Sequence, residues 1–236
     1  MNLPPLLRKA LAEFLGVTLF LTAIVGSVIY GQSPLGAAGL ATVLGLAIFV
    51  TAPISGGHLN PIVSIYFFSR REISLNELLS YLVAQFAGGI FGVFIANQMF
   101  LQPFQFSTNN NTANSGALIS ELFVAGGLVW LVGRLSSTGK GQFIPMGVGL
   151  WIFSGVIFSA SGAQGNPAVS VALVFVGQAS GQAAGYILAQ LGGMLIAAIF
   201  VLVFAERKVT ATAPAALAAP KPAAPRKPAA KKPAVK

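Results

Sequence analysis

Two short boxes built around an Asn-Pro pair constrain this chain more than any other feature. The sequence SGGHLNPIVS begins at Ser55, and a degenerate copy, SGAQGNPAVS, begins at Ser161. Each box precedes a short apolar stretch, residues 61–69 and 167–176, whereas a helix that crosses a bilayer needs about 20 residues. Asn as N-cap, followed by Pro at the first helical position, is a typical helix start. We therefore expect two half-helices that begin inside a membrane.

The composition indicates an integral membrane protein. Of the 236 residues, 55% are hydrophobic and 8% are charged, and the mean hydropathy is +0.80, whereas a soluble domain carries about 25% charged residues. Non-helical backbone at membrane depth is tolerated only where it lines a cavity or is buried in protein, so the paired boxes predict a substrate pathway. Six apolar spans are recognisable, at about 9–30, 36–54, 75–100, 116–135, 142–160 and 182–205.

The inventory of reactive side chains argues against an enzyme. The chain has no Cys, a single histidine, His58, and five acids, all of them Glu. This set provides no nucleophile–base pair and no cluster of metal ligands. We therefore expect no catalytic residue, no metal and no cofactor, and we expect no nucleic-acid partner.

The two halves of the chain repeat one another. Glu13 in the first span is echoed by Glu121 in the fourth, and a Tyr-x-x-Ala-Gln pattern at residues 81–85 returns at residues 186–190. These features and the boxes recur in the same order at nearly one offset, which indicates a duplication. Because each unit has three spans, an odd number, the second unit is inverted relative to the first, and a site is expected at the pseudo-two-fold axis.

The predicted fold class follows from this repeat. We expect an all-α membrane protein with six transmembrane helices and two re-entrant half-helices, arranged as an inverted 3+3 repeat around a central pore. Residues 1–209 form the channel domain, with repeat one at about 8–100 and repeat two at about 116–206.

The cations predict the orientation. With six spans, every Lys and Arg falls on one side of the membrane, and the positive-inside rule makes that side the cytoplasm. Both termini are then cytoplasmic, and the loop at residues 101–115 is external. Asn110 in that loop begins a glycosylation sequon, which is used only in a host that secretes through an endoplasmic reticulum. Outside the tail the cations are Arg8, Lys9, Arg70, Arg71, Arg134, Lys140, Arg207 and Lys208.

Residues 210–236 form a basic tail rich in Ala, Pro and Lys, with six cations and no acid. Such a segment has too few large apolar side chains to fold, and we expect a disordered cytoplasmic tail. Two interpretations stay open: attraction to anionic lipid headgroups, or a solvated tail with no specific role.

Together, the two boxes, the paired acids and the repeated Tyr-x-x-Ala-Gln pattern resemble the aquaporin or major intrinsic protein family. The resemblance covers roughly residues 8–206. It implies six tilted helices around one pore per subunit, a homotetramer in the bilayer, and passive conduction of water and other small neutral solutes. The alternatives are a channel mainly for ammonia, glycerol or another uncharged solute, and a structural or junctional membrane protein with a vestigial pore.

The resemblance also implies that Asn60 and Asn166 meet at the pore centre. Each would cap its own half-helix and still offer a side-chain N–H to the lumen. His58 is expected to face the lumen, although it could instead only brace its loop, and the two roles can coexist. Backbone carbonyls in the boxes would guide solute in single file, from Gly56, Gly57, His58, Gly162, Ala163 and Gln164.

Glu13 and Glu121 are expected to be structural. A carboxyl group inside a membrane is costly unless partners hold it, and the non-helical backbone of each box needs acceptors for its N–H groups. The alternative is that the two acids face the pore as ion sites.

The chain departs from the family at the outer selectivity filter. Most members have Arg directly after the second Asn-Pro-Ala, and here the residue is Val169, followed by Ser170 where glycerol-type members usually carry Asp. Counting from the two boxes predicts a filter of Leu40, Ser154, Ala163 and Val169, which is short, mostly apolar and uncharged. We expect such a filter to discriminate weakly among small neutral solutes.

Overall fold

The structure is a computed structural model that describes residues 3–31 and 35–205. Every regular element in these ranges is helical, and six helical spans are long and apolar enough to cross a membrane. This confirms the predicted fold class. The helices are α1 (Pro5–Ile24), α2 (Gly36–Ser55), α3 (Pro61–Ser69), α4 (Leu75–Met99), α5 (Ser115–Ser137), α6 (Ile144–Phe158), α7 (Pro167–Ala172) and α8 (Ser180–Val203). The predicted basic tail lies outside the described residues.

Helices α3 and α7 are the two half-helices, and each begins directly after its asparagine. The Asn60 side chain accepts a hydrogen bond of 3.1 Å from the backbone N–H of Ile62, and Asn166 accepts one of 2.9 Å from Ala168. Each asparagine is thus the N-cap, with Pro at the first helical position. Helix α7 is extended by a 3₁₀ segment, Leu173–Val176.

The two repeats pack in the same way. Helix α1 lies against α4 in the first repeat, and α5 lies against α8 in the second. Glycine allows the close approach in both: a Cβ atom at Gly88 would collide with the backbone oxygen of Phe14, and one at Gly193 would collide with that of Leu122. The same contact therefore recurs between corresponding helices, as a duplicated sequence predicts.

One end of the bundle, here called the cationic face, carries the start of α1 and α4 and the end of α5 and α8. Lys9 forms an ion pair of 2.6 Å with Glu77 at the start of α4. Arg134 donates a hydrogen bond of 2.7 Å from Nη1 to the backbone oxygen of Phe204, just after α8. The charged side chains thus secure helix ends.

The other end, here called the opposite face, is covered by the loop between α4 and α5. Ser107 donates from its backbone N–H to Val174 O at 2.9 Å, and Phe104 stacks on Phe175 with ring centroids 4.9 Å apart. Ser180 donates from its N–H to Asn109 O at 2.8 Å. The loop therefore packs onto the segment that follows half-helix α7.

Candidate functional site

A narrow cavity of about 50 Å³ lies where the two boxes meet inside the bundle. One wall is apolar, and a strip of box backbone and polar side chains forms the other. A solute in such a passage loses water on the apolar side and regains hydrogen bonds on the strip. The apolar wall consists of Phe20, Leu44, Ile48, Val63, Phe67, Leu128, Val132, Ile144, Val148 and Ile152, and the strip of Gly56, Gly57, His58, Leu59, Asn60, Gln164 and Asn166.

The structure brings Asn60 and Asn166 together at this cavity. The Nδ2 of Asn60 donates to the backbone oxygen of Gly165 at 2.9 Å, and the Nδ2 of Asn166 donates to that of Leu59, also at 2.9 Å. Each amide has two N–H donors, so one remains after this bond. Because both side chains line the cavity, the remaining N–H groups are available to a molecule inside it.

The first box is folded around the carboxylate of Glu13, which is fully buried. Its Oε1 accepts from the Ser55 hydroxyl at 2.6 Å and from the backbone N–H of His58 at 3.0 Å. Its Oε2 accepts from the backbone N–H of Leu59 at 2.6 Å and from Gln85 Nε2 at 2.8 Å. Four donors therefore occupy the two oxygens of this carboxylate.

The second box repeats this arrangement around Glu121, which is also fully buried. Its Oε1 accepts from the Ser161 hydroxyl at 2.5 Å and the backbone N–H of Gln164 at 2.9 Å. Its Oε2 accepts from Gly165 N at 2.8 Å and Gln190 Nε2 at 2.6 Å. Neither carboxyl group lines the cavity, so the geometry favours the structural interpretation over an ion site.

Both boxes contain residues with a left-handed backbone conformation. Leu59 has φ +48° and Ala163 has φ +56°, and Gly57 has φ +63°. A Cβ atom at Gly57 would also lie 2.9 Å from the backbone oxygen of Ile48, so glycine is required there for two reasons. Gly162, which the sequence interpretation placed along the passage, has φ +76° and does not line the cavity.

His58 lines the cavity and is also held in place by its neighbours. Its ring lines the cavity and its Nδ1 lies 3.1 Å from the hydroxyl of Ser64. The ring also stacks on Phe67 with centroids 4.8 Å apart and meets the edge of Tyr81 at 5.3 Å. It is therefore a fixed polar group on the side of the cavity nearer the cationic face.

The four residues predicted as a filter do not surround the cavity. Leu40, Ala163 and Val169 are each at most 3% exposed, lie in the same apolar core, and do not line the cavity. Ser154 is on the exposed side of α6, where its hydroxyl donates to the backbone oxygen of Leu150 at 2.9 Å. Ser154 therefore does not line this cavity.

The helical repeat explains why Ser154 does not line the cavity. Successive helical residues are rotated by about 100°, so Ser154 faces away from Ile152, which does line the cavity together with Val148 and Ile144. Counting from the box gives a residue number, but it does not say toward which side of the helix that side chain points.

The cavity is asymmetric about the pseudo-two-fold axis. Val63 in α3 lines it, whereas Val169, which has the corresponding position in α7, is 1% exposed and does not. In the described ranges, the cavity reaches no residue of α7 beyond its N-cap, Asn166. The cavity therefore ends near this N-cap, and its side toward the opposite face is here called the narrow side.

The sequence interpretation assigned the backbone of Gln164 to the passage but missed its side chain. Gln164 has the same place in the second box as His58 in the first. That correspondence was visible in the sequence. The partner of Gln164, Gln178, follows half-helix α7 and has no counterpart that a pattern could reveal.

A family model described as "Major intrinsic protein" matches residues 1–160. The chain belongs to the major intrinsic protein family. This confirms the resemblance drawn from the boxes, and it makes the chain an integral, multi-pass membrane channel protein.

Individual members of the family match over most of the chain. Aquaglyceroporin AqpS from Rhizobium meliloti is 34% identical over 206 residues, which cover 81% of this chain and 88% of that protein. Nodulin-26 from Glycine max is 30% identical over 185 residues, 73% of this chain and 68% of that protein. The crystal structure of the aquaglyceroporin from Plasmodium falciparum has the same fold, with a TM-score of 0.63 at 23% identity and coverage of 86% and 96%.

Proposed function

We propose that this member of the major intrinsic protein family conducts water and small neutral solutes passively along the cavity between its boxes. The observation that carries the proposal is the reciprocal pair of bonds from Asn60 and Asn166. These bonds use one N–H of each side chain, and both residues line the same narrow space. A water molecule that accepts from both cannot relay a proton through that point, because its own hydrogens point away from both amides.

The half-helices add an electrostatic barrier to this arrangement. Each N-terminus carries the equivalent of about half a positive charge, and α3 and α7 both begin at the cavity. Cations and H₃O⁺ are repelled there, whereas neutral molecules are not. In the described residues no charged side chain lines the cavity, which also favours uncharged cargo.

The cargo extends beyond water to small neutral solutes such as glycerol. Two of the similar proteins are named aquaglyceroporins, and Val169 brings no cation to the narrow side of the passage. A channel mainly for ammonia or a polyol is the second candidate. A vestigial pore is disfavoured because the cavity and the free asparagine N–H groups both persist.

Stopped-flow measurements on proteoliposomes test the proposal. Purified protein is reconstituted, and vesicle volume is followed after steps of an impermeant osmolyte, glycerol, urea or ammonium salt. We expect water and at least one neutral solute to cross faster than in protein-free vesicles. Flux of ammonia alone would support the second candidate, and no flux from folded protein would support a vestigial pore.

We also propose a homotetramer with cytoplasmic termini. The absence of Cys from the sequence makes the orientation testable with single cysteines. Thr108→Cys, in the loop between α4 and α5, should react with a membrane-impermeant maleimide added outside intact cells. Ser137→Cys, at the end of α5, should react only after lysis, and the reverse pattern would overturn the orientation.

A further inference from the structure

We propose that the side-chain amide of Gln164 is a solute-selecting group at the narrow end of the cavity, specific for uncharged solutes that both donate and accept hydrogen bonds. Polyols and urea belong to this chemical class. The inference rests on the proposed function, since it assigns selectivity within the same passage. It follows from how the amide is held, what capacity it has left, and what surrounds it.

The Gln164 amide is held at both ends. Its Oε1 accepts a hydrogen bond of 2.7 Å from the hydroxyl of Ser170, and its Nε2 donates one of 2.5 Å to Oε1 of Gln178. Gln178 is fixed in turn, because its Nε2 donates to the backbone oxygen of Ser170 at 3.0 Å and its backbone N–H donates to Leu173 O at 3.1 Å. The orientation of the amide is therefore set.

The bonds to Ser170 and Gln178 use only half of the hydrogen-bonding capacity of the Gln164 amide. A primary amide has two N–H donors and two acceptor lone pairs, and Ser170 and Gln178 take one of each. Gln164 lines the cavity next to Asn166. It therefore presents one donor and one acceptor to a molecule that passes.

The hydrogen bonds from Ser170 and Gln178 to Gln164, here called the clamp, connect to the buried carboxylate of the second repeat. The hydroxyl of Ser170 accepts from Gln190 Nε2 at 3.0 Å, and the same Nε2 donates to Glu121 at 2.6 Å. A continuous chain of hydrogen bonds thus runs from Glu121 to Gln164. Preorganised groups of this kind cost little to order when a solute arrives.

Ser170 and Gln178, which hold Gln164, do not line the cavity themselves. Within the described residues, the polar side chains that line the cavity are His58, Asn60, Gln164 and Asn166. His58 faces the wider side, where it stacks on Phe67 instead of being clamped by a second amide. Toward the opposite face, Gln164 is therefore the lining side chain that can replace hydrogen bonds lost with water.

The chemistry then favours one class of solute. Taking a hydroxyl or amide group out of water is costly unless a partner replaces the lost bonds. An amide with one free donor and one free acceptor replaces two bonds at once for glycerol or urea. Because it is neutral, it neither attracts nor repels ions as an arginine would.

The test compares Gln164→Leu with Gln182→Leu. Gln182 is a partly buried amide in α8 that bonds to the hydroxyl of Tyr186 at 2.7 Å and does not line the cavity. Glycerol, urea and water permeabilities are measured in proteoliposomes with equal amounts of folded protein. We expect Gln164→Leu to lower the glycerol-to-water and urea-to-water ratios about three- to tenfold, as for loss of one or two hydrogen bonds, and Gln182→Leu to leave both ratios unchanged.

Gln178→Leu provides a second arm that keeps the Gln164 amide but removes its clamp. We expect a smaller fall in the same ratios, and no further fall when this change is added to Gln164→Leu. If Gln164→Leu does not fold, the single Gln178→Leu variant decides, because unchanged ratios there overturn the proposal.

Two results for Gln164→Leu overturn the inference while the proposed function stands. The first is unchanged ratios. The second is an equal fall in water, glycerol and urea fluxes, which would mean that Gln164 only braces the loop. Wild-type protein that conducts nothing overturns the proposed function itself, and the inference with it.

Discussion

Asn60 donates a hydrogen bond of 2.9 Å from its side chain to the backbone oxygen of Gly165, in the opposite box. Together with the reciprocal bond from Asn166 to Leu59, it makes each box part of the fold of the other. The two half-helix ends are thereby fixed at one point in the cavity. A substitution that breaks the fold of either box is therefore expected to affect the whole passage.

Replacing Asn60 with Asp should convert the neutral passage into a leaky one. A carboxylate has no N–H for Gly165 and places an anion where the half-helix ends repel cations. We expect reduced water flux and a measurable cation current in planar bilayers. Asn114→Asp is the control, since Asn114 caps α5 outside the cavity and Asp caps equally well. Wild-type water flux without ion current in Asn60→Asp would contradict the assignment of the central pair.

Replacing either buried carboxylate with its amide should destabilise the protein. In Glu13→Gln or Glu121→Gln, an NH₂ group faces backbone N–H donors that the carboxylate accepted. Each unsatisfied buried donor costs about 1–3 kcal/mol, so we expect a clear fall in thermal stability in detergent for both variants. Glu72→Gln, at an exposed site, is the control. Ion-selectivity changes without loss of stability would instead indicate an ion site.

Two adjacent glycines in α8 offer a matched pair for helix packing. A Cβ atom at Gly193 would collide with the backbone oxygen of Leu122, whereas one at Gly192 would lie 3.8 Å from the nearest atom, in the Leu122 side chain. We expect Gly193→Ala to destabilise the protein by about 1–3 kcal/mol, the usual cost of overpacking, and Gly192→Ala to be neutral or stabilising. Equal effects, measured by thermal unfolding in detergent, would contradict the packing of α5 on α8.

The asymmetry of the cavity predicts unequal effects at two corresponding valines. Val169→Ala removes bulk where the passage is narrow, and Val63→Ala removes it where the cavity is already open. We expect Val169→Ala to raise the permeability per channel to water and glycerol, and Val63→Ala to change it less. Stopped-flow measurements on both variants provide the check. A larger gain from Val63→Ala would place the constriction on the other side.

Much of the architecture could be predicted because it depends on local patterns and a repeat. Asn60 and Asn166 are each followed by Pro, a pattern that marks the start of a helix. The thickness of the bilayer sets the length of a span. The helices and the inverted repeat were therefore predictable. The pairing of Glu13 with box backbone was also predictable, since a buried carboxylate requires donors and the box has unpaired N–H groups.

The narrow side of the passage could not be predicted in the same way. Whether Ser154 or Ile152 faces the cavity depends on the rotation of α6 about its own axis, which tertiary packing sets. The role of Gln164 depends on Gln178, a loop residue whose position follows from the path of the chain after α7. Neither relationship leaves a periodic trace in the sequence.

The central claim is that neutral molecules pass the paired asparagines while protons do not. The most direct test measures osmotic water flux and proton flux in the same proteoliposomes, with a pH-sensitive dye trapped inside and a pH gradient imposed. We predict that wild-type protein accelerates water movement well above protein-free vesicles and leaves the rate of internal pH change at the protein-free level. Proton entry that rises together with water flux would contradict the account.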